Sequence, residues 1–244
     1  MQLQLCTWPD IEEYLRRSKG ILVPIGSTEQ HGPNGLIGTD ALCAAGIARR
    51  VGEEIGALVA PALSLGNAQH HLGFAGGISL RPSTMIAMIF DLIESLRLHG
   101  FERFYFLNGH GGNIGPVEAA FSEIYSAVTY LRMKPVLCKL QNCWEGQRFS
   151  ILARELYGDG EGSHATCSEI SLTWFLHPEA ILPMEFSKPG PSESGIFDAQ
   201  DFRSRYPDGR IGSDPSLCSA EHGKRLFEAA VSDVTEDYQN FMAA

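Results

Sequence analysis

The stretch ILVPIGSTEQHGPNGLIGTD, residues 21–40, decides which fold this chain is predicted to adopt. Its first five residues form an apolar run, which predicts a short buried strand with Pro24 at a bulge or at the strand end. The next fifteen residues hold four glycines together with Glu29, His31 and Asp40. A buried strand that runs into a polar, glycine-rich loop and then a helix is the opening unit of an α/β fold.

Strand and helix alternate along the rest of the chain in the same way. Because a βαβ series builds a parallel sheet covered by helices on both faces, we predict a single-domain, three-layer α/β/α fold with a mostly parallel sheet over residues 1–244. The predicted strands are 21–25, 58–63, 103–108 and 135–140. The predicted helices are 9–18, 40–56, 83–99, 115–131, 164–176 and 219–241, and residues 183–215 are predicted to be loop.

Composition narrows the classes of partner and the cell compartment. A formal net charge of −10 and a pI near 5.2 argue against nucleic acid or a membrane surface as the main partner. The start of the chain lacks a signal-peptide pattern and no apolar run reaches the roughly 18 residues of a membrane span, so we expect a cytoplasmic protein. Six cysteines without a CxxC pair predict reduced thiols.

Polar, glycine-rich segments directly follow three of the predicted strands, at residues 26–40, 64–77 and 108–113. In open parallel sheets ligands bind at the carboxyl ends of the strands, so a functional site is expected at this edge. Glu29 and His31 are two residues apart and point to the same side if the chain stays extended. The alternative is a solvated loop in which Asp40 acts only as a helix cap.

Two further histidines belong to segments that can reach the same edge. His110 stands between glycines in LNGHGGN, where a freely turning backbone can aim an imidazole into the crevice. A phosphate-cradling loop is the alternative, although the segment matches neither GxxxxGKS/T nor GxGxxG. His164 and Glu169 would lie about 140° apart on one helix. They share a site only if His164 stands at or before the first turn.

Converging carboxylates at this edge would need a positive counter-charge. Three carboxylates in one crevice repel each other by roughly 4 kcal/mol per close pair at an effective dielectric of about 20, and a bound dication removes that repulsion. Together, Glu29, Asp40, Glu169 and two histidines form an N/O ligand set that suits Zn²⁺ or Mn²⁺. A central aspartate can bridge two ions about 3.5–4 Å apart.

Three of these segments resemble the signatures of the creatininase (creatinine amidohydrolase) family. They are GSTEQHGPNGLIGTD at 26–40, NGHGGN at 108–113 and GSHATCSEIS at 162–171. Two further stretches, GNAQHHLGFAGGISL at 66–80 and GRIGSDPSLCSAEHG at 209–223, are similar to other family segments. The resemblance covers most of the chain, and its first and third signatures are highly specific.

The resemblance implies a metal site that holds two ions per subunit, Zn²⁺ and/or Mn²⁺. The positions that match metal ligands are Glu29, His31, Asp40, His110 and Glu169. Asp40 is then the bridge between the ions, and His164 matches the catalytic histidine. Glu169 is expected to supply the fifth ligand because Gly112 has no side chain to do so. The family also implies a homo-oligomer, namely a hexamer.

The chain departs from the family pattern around the expected pocket. Members that act on creatinine carry bulky aromatic residues at or near the positions of Gly111 and Gly160 in this chain. The resemblance therefore implies an open pocket that suits an amide or formamide larger than creatinine. His71 matches a recurring family histidine and only one of His70 and His71 can face the site. Neither Trp144 nor Trp174 is included in the predicted site.

The predicted function is metal-dependent hydrolysis of a non-peptide C–N bond in a cyclic amide, a linear amide or a formamide. A metal-activated water is the expected nucleophile, and His164 would pass a proton to the leaving nitrogen. The expected partner is a small-molecule amide. Two alternatives stay open. One is a family-like hydrolase of a formamidopyrimidine nucleotide or a peptide, and the other is a non-catalytic nucleotide- or small-molecule-binding module.

Overall fold

Three parallel strands form the sheet of this protein, whose computed structural model describes residues 1–181, Pro191 and 195–244. The strands lie in the order β1-β2-β3, with bounds Gly20–Ile25, Arg103–Asn108 and Leu137–Asn142. Ile25 pairs with Asn108, and Asn108 pairs with Asn142, so all three strands end at one level. The predicted α/β fold with a parallel sheet is confirmed.

Helices surround this sheet within the described residues. They are α1 (Trp8–Arg17), α2 (Thr39–Ile55), α3 (Pro82–Leu98), α4 (Ile114–Tyr130), α5 (Gln147–Tyr157), α6 (Cys167–Leu176), α7 (Ala199–Arg205) and α8 (Ala220–Ala243). Helices α1 to α4 and helix α8 lie where the sequence predicts them. In the described part of the chain, none of them has both the length and the apolar character that crossing a membrane requires.

The strands bury both of their faces against helices. Leu22 and Tyr105 belong to one hydrophobic core, which α2, α5, α6 and α8 complete. The neighbouring strand residues Val23, Phe104 and Phe106 belong to a second core with α1, α3 and α4. Because successive strand side chains point to opposite faces, the sheet lies between two helical layers. This arrangement leaves the ends of the strands as the place where polar loops meet.

Residues 58–63, predicted as a strand, do not form one. The segment runs parallel to β1 and pairs with it only through isolated bridges at Val59 and Leu63. Pro24 in β1 and Pro61 in the segment both lack a backbone N–H, so the hydrogen-bond ladder is interrupted between the two bridges. The strand predicted at 135–140 is correct in kind, but its ladder begins two residues later, beyond Pro135.

Two predictions in the second half of the chain are also corrected. Helix α6 begins at Cys167, three residues after the predicted start, because Thr166 caps it by accepting a hydrogen bond from the backbone of Glu169. The predicted loop 183–215 lies partly outside the described residues, and its described part contains α7, which the side chain of Asp198 caps. Asp198 is the signal that sequence reasoning missed.

Helix α5 follows β3 and was not predicted. Its buried residues Phe149, Ala153 and Tyr157 recur every four positions, which is the spacing of one helical face. The helix packs against α8 and carries one wall of the cavity described below.

Candidate metal centre

The candidate site lies at the carboxyl ends of β1 and β2, as the sequence predicts. The loop after β1 carries Glu29 and His31, and His110 stands two residues beyond the end of β2. All three side chains are buried. The segment after β3, which contains Cys143 and Trp144, borders the same cavity.

Asp40 occupies the first turn of α2 and is 3 % exposed. Its Oδ1 lies 2.9 Å from Nε2 of His31, and its Oδ2 lies 3.1 Å from Nδ1 of His110. The helix end comes this close because a Cβ on Gly26 would stand 2.4 Å from the backbone nitrogen of Ala41. The glycine that follows β1 therefore permits the approach that puts Asp40 between the two imidazoles.

Glu29 is fully buried and faces three histidine rings. Its Oε1 lies 3.1 Å from Nε2 of His71, 3.3 Å from Nδ1 of His110 and 3.9 Å from Nδ1 of His164. Among the described residues, neither oxygen of Glu29 has a hydrogen-bond partner of acceptable geometry, and the same holds for Oδ2 of Asp40. Buried carboxylate oxygens without hydrogen-bond partners require an explanation. A cation site explains them, because their lone pairs are available to coordinate the ion.

The capping of α6 brings His164 and Glu169 into the same site. Glu169 is the third residue of α6, and its Oε1 accepts a hydrogen bond from the backbone N–H of Thr166 at 2.6 Å while lying 3.9 Å from Nε2 of His31. Ala165 has a φ of 52°, a left-handed conformation that turns the chain just before the helix. His164 precedes the helix, which is the condition under which both side chains can share a site.

Among the residues that the structure describes, three groups of side chains have ligand atoms within 4.8 Å of one another. They are Glu29 with Asp40 and His110, His31 with Asp40 and Glu169, and Glu29 with His31 and His164. Asp40 belongs to two of the groups and offers a different oxygen to each histidine. Nitrogen and carboxylate oxygen donors of this kind fit Zn²⁺ or Mn²⁺. The residues present therefore fit the metals that the sequence predicts.

The electrostatics of the cluster point the same way. Burial, together with the charge of Asp40, raises the pKa of Glu29 to about 7. Burial disfavours the charged form of His31, but the adjacent Asp40 outweighs it and raises the pKa of His31 to about 10. The contact with the Asp40 carboxylate likewise outweighs burial and raises the pKa of His110 to about 9. Protonated imidazoles thus balance the negative charge of the carboxylates. A bound dication would supply this positive charge in their place.

A cavity of about 550 Å³ opens above the cluster. Asp40, His110, His164 and Glu169 line its inner part. Trp144 and Phe149 line it as well, so the exclusion of Trp144 from the site was wrong, whereas Trp174 does not line this cavity in the described part of the chain. Aromatic walls are therefore present, but they come from the segment after β3. At Gly111 no atom lies within 4 Å of the position that a Cβ would take, so this side is open. Gly160, the other position of the prediction, is not among the described residues that line the cavity, and a Cβ there would stand 2.6 Å from Cδ1 of Leu217.

His71 and Gln30 are two buried residues of the site whose roles sequence reasoning did not assign. His71 lies in the 3-10 turn Gln69–Gly73, 2 % exposed, with its ring stacked on that of His164 at 4.2 Å between centroids. His70 is half-buried, and its ring packs against that of Phe202 with 5.5 Å between the centroids. The side-chain nitrogen of Gln30 contacts a ring nitrogen of both His71 and His164. Its place within EQH, between two candidate ligands, was the signal available in the sequence.

Comparison with known proteins identifies the family of this chain. The creatininase family model, described as creatinine amidohydrolase, matches residues 4–238. The chain belongs to the creatininase family.

Family relatives are hydrolases with different named substrates. Creatinine amidohydrolase of Pseudomonas putida is 26 % identical over 94 % of this chain and 93 % of its own length. Mycofactocin precursor peptide peptidase of Mycolicibacterium smegmatis is 38 % identical over 87 % of this chain and 81 % of its own length.

Solved creatininase structures share the fold. A creatininase variant complexed with creatine superposes with a TM-score of 0.86 at 23 % identity, covering 98 % of this chain and 97 % of its own. Other creatininase structures of similar TM-score are described as a Zn-Zn type and as a manganese form. At this level of identity the likeness establishes the fold, and the roles of the six predicted site residues remain a prediction.

Gly112 and Gly111 offer a matched test of the site's geometry. A Cβ on Gly112 would stand 2.2 Å from the carbonyl oxygen of Asn67 and 2.5 Å from Nε2 of His110, two atoms that lie 3.0 Å apart in a hydrogen bond. We expect Gly112→Ala to displace His110 and to lower the affinity for Mn²⁺ or Zn²⁺ by about 10–100-fold. Gly111→Ala should keep the wild-type affinity. Equal affinities of the two variants in metal titrations would contradict this geometry.

Proposed function

We propose that this creatininase-family protein is a metal-dependent hydrolase that cleaves an amide C–N bond, in a cyclic amide, a linear amide or a formamide. The observation that carries the proposal is the pair of ligand groups that share Asp40 beneath the cavity. In the proposed site, Glu29, Asp40 and His110 hold one divalent ion. His31, Asp40 and Glu169 hold the other. Zinc and manganese are the candidates, supported by the ligand types and by the metals named for the solved creatininases.

When bound, such ions would supply Lewis-acid polarisation of the substrate carbonyl and a lowered pKa for the attacking water. The chain itself contributes the proton transfer. Burial lowers the pKa of His164 well below its usual range, so the ring is neutral and can accept a proton. From its position beside Glu29 at the inner end of the cavity, His164 can then deliver that proton to the leaving nitrogen.

The cavity supports a substrate larger than creatinine. A volume of about 550 Å³ is within the range of roughly 300–1,000 Å³ that holds drug-sized ligands, and the side next to Gly111 is open. Trp144 and Phe149 provide apolar surface for such a substrate. We propose a non-peptide amide as the first substrate class. A peptide is the second, because the relative that is 38 % identical is named a precursor peptide peptidase. The homo-oligomeric assembly and the cytoplasmic location stay predictions.

The metal content of three carboxamide variants tests the shared ligand. Glu29→Gln and Glu169→Gln each remove a ligand from one group, so each should retain about one ion where the wild type retains about two. Asp40→Asn should lose both, because Asp40 belongs to both groups. Elemental analysis after dialysis measures these contents, with Asp91→Asn on the exposed face of α3 as the control. Wild-type metal content in Asp40→Asn would rule out the shared site.

The role of His164 is tested by kinetics on the metal-loaded enzyme. Replacement with alanine removes the proton carrier and should lower kcat by about 10²–10⁴-fold while the metal content stays at the wild-type level. His177→Ala, which alters a histidine at the end of α6 outside the cavity, should leave kcat unchanged. Full turnover by His164→Ala would show that this ring transfers no proton in the rate-limiting step.

A substrate panel separates the classes. Creatinine, a larger cyclic amide, an N-formyl compound and a short peptide should be hydrolysed at different rates, with the larger non-peptide amides the fastest and with all activity lost upon chelation. Dominant peptide cleavage would establish the second class instead. Nucleotide binding that persists after chelation and in Glu29→Gln, without hydrolysis of any panel member, would favour the non-catalytic alternative.

A further inference from the structure

The side chain of Gln30 is held in one orientation at the base of the site. It is 7 % exposed, and its Oε1 accepts a hydrogen bond from the backbone N–H of Gly32 at 2.8 Å. Its Nε2 donates to the carbonyl oxygen of Gly209 at 3.0 Å. These two bonds distinguish the oxygen from the nitrogen of the amide, because exchanging the two would bring two acceptors together at Gly209 and two donors together at Gly32.

The same Nε2 contacts a nitrogen of each of two imidazole rings. It is 2.9 Å from Nδ1 of His71 and 2.8 Å from Nε2 of His164. An amide nitrogen carries two hydrogens, and one is already used by Gly209. Only one of the two rings can therefore accept a hydrogen bond from the side chain of Gln30. Which ring accepts it determines which nitrogen of each ring carries the hydrogen.

The other neighbours of the rings decide between the two possibilities. Nε2 of His71 lies 3.1 Å from Oε1 of Glu29. The angle of this contact is not that of a hydrogen bond, but a negative oxygen at this distance favours a hydrogen over a lone pair on that nitrogen. Nδ1 of His71 is then the acceptor for Gln30. Nε2 of His164 also lies 2.9 Å from the backbone carbonyl oxygen of Gln30, to which it donates if it carries the hydrogen. This assignment sets a hydrogen opposite an acceptor in every polar contact of the two rings except one, the 2.8 Å contact between Nε2 of Gln30 and Nε2 of His164, where both atoms carry hydrogens.

The opposite assignment satisfies fewer groups. If Gln30 donated to His164, Nδ1 of His71 would have no donor and the carbonyl of Gln30 would lose the bond from His164. The hydrogen on His164 would then point at Oε1 of Glu29 from 3.9 Å, beyond hydrogen-bond distance. A buried polar atom without a partner is destabilising, so this assignment is disfavoured.

We propose that Gln30 is a positioning residue that sets both tautomers, so that His71 carries its hydrogen on Nε2, next to Glu29, and His164 presents an unprotonated Nδ1 to the site. The side chain of Gln30 acts on His71 and its carbonyl acts on His164. Phe202 packs edge-on against His71 at 4.6 Å and holds the stacked rings in place. The consequence for catalysis, that Nδ1 is the nitrogen of His164 that takes the proton, rests on the proposed function.

Nuclear magnetic resonance tests the tautomers directly. In the full-length protein with ¹⁵N-labelled histidine, long-range proton–nitrogen correlations report which ring nitrogen carries the hydrogen, and replacing each histidine singly assigns its signals. We expect both His71 and His164 to be Nε2–H tautomers, in the metal-free protein and in the zinc-loaded protein alike. A hydrogen on Nδ1 of either ring in the metal-free wild type would overturn the assignment.

Gln30→Glu then tests the cause. A carboxylate oxygen in place of Nε2 accepts where the amide donated, so Nδ1 of His71 should gain a hydrogen while His164 keeps its own on Nε2. Gln141→Glu, the same change on half-buried Gln141 of β3, should leave both rings as in the wild type. Unchanged His71 signals in folded Gln30→Glu would overturn the role of the side chain. If that variant does not fold, the wild-type tautomers still decide the assignment.

Kinetics separate this inference from the proposed function. Gln30→Glu should lower kcat by about 10–100-fold against the best substrate of the panel, with KM and metal content near the wild-type values. If the wild-type protein shows the assigned tautomers but hydrolyses no amide, the positioning role of Gln30 stands and the proposed hydrolase function is refuted. If the protein hydrolyses an amide but His164 carries its hydrogen on Nδ1, only the positioning role of Gln30 is refuted.

Discussion

The carboxylate of Asp40 is the buried charge around which the site is built. Placing an ionised carboxylate where it is 3 % exposed is costly unless it is paired, and its two oxygens contact two different histidines. The histidines come from the loops after β1 and β2, so both loops must meet the first turn of α2. A Cβ on Gly109 would stand 2.2 Å from the carbonyl oxygen of Asp40, so even this neighbour of His110 must be small.

Rigid surroundings are what make such a cluster possible. The strands that lead into it are buried on both faces, between two hydrophobic cores, and they end in register. Repulsion among Glu29, Asp40 and Glu169 would spread these side chains apart on a mobile loop. Here the ends of the sheet and the capped start of α6 hold them together. The energy of packing in the two cores therefore offsets the electrostatic cost at the strand ends.

The sequence predicted those parts of the fold and site that local patterns determine. The apolar runs at β1 and β2 are bounded by glycine and polar residues, and candidate ligands directly follow them, so strands and ligands could be found together. His71 was ambiguous because its contact with Glu29 depends on the 3-10 turn Gln69–Gly73, not on an extended chain. The role of Gln30 depends on three partners far away in sequence, which no local pattern encodes.

The inner cluster and the outer wall of the cavity are built from different segments. Trp144, Phe149 and Arg154 line the cavity from the stretch that follows β3, and none of them is a member of the three ligand groups. Changes in this wall alter the shape and polarity of the cavity without moving Asp40 or its histidines. One family can therefore include relatives named for creatinine and for a precursor peptide on the same fold. Under the proposed function, the segment after β3 and helix α5 would select the substrate, whereas the candidate ligands at the ends of β1 and β2 and at the start of α6 would carry the hydrolysis.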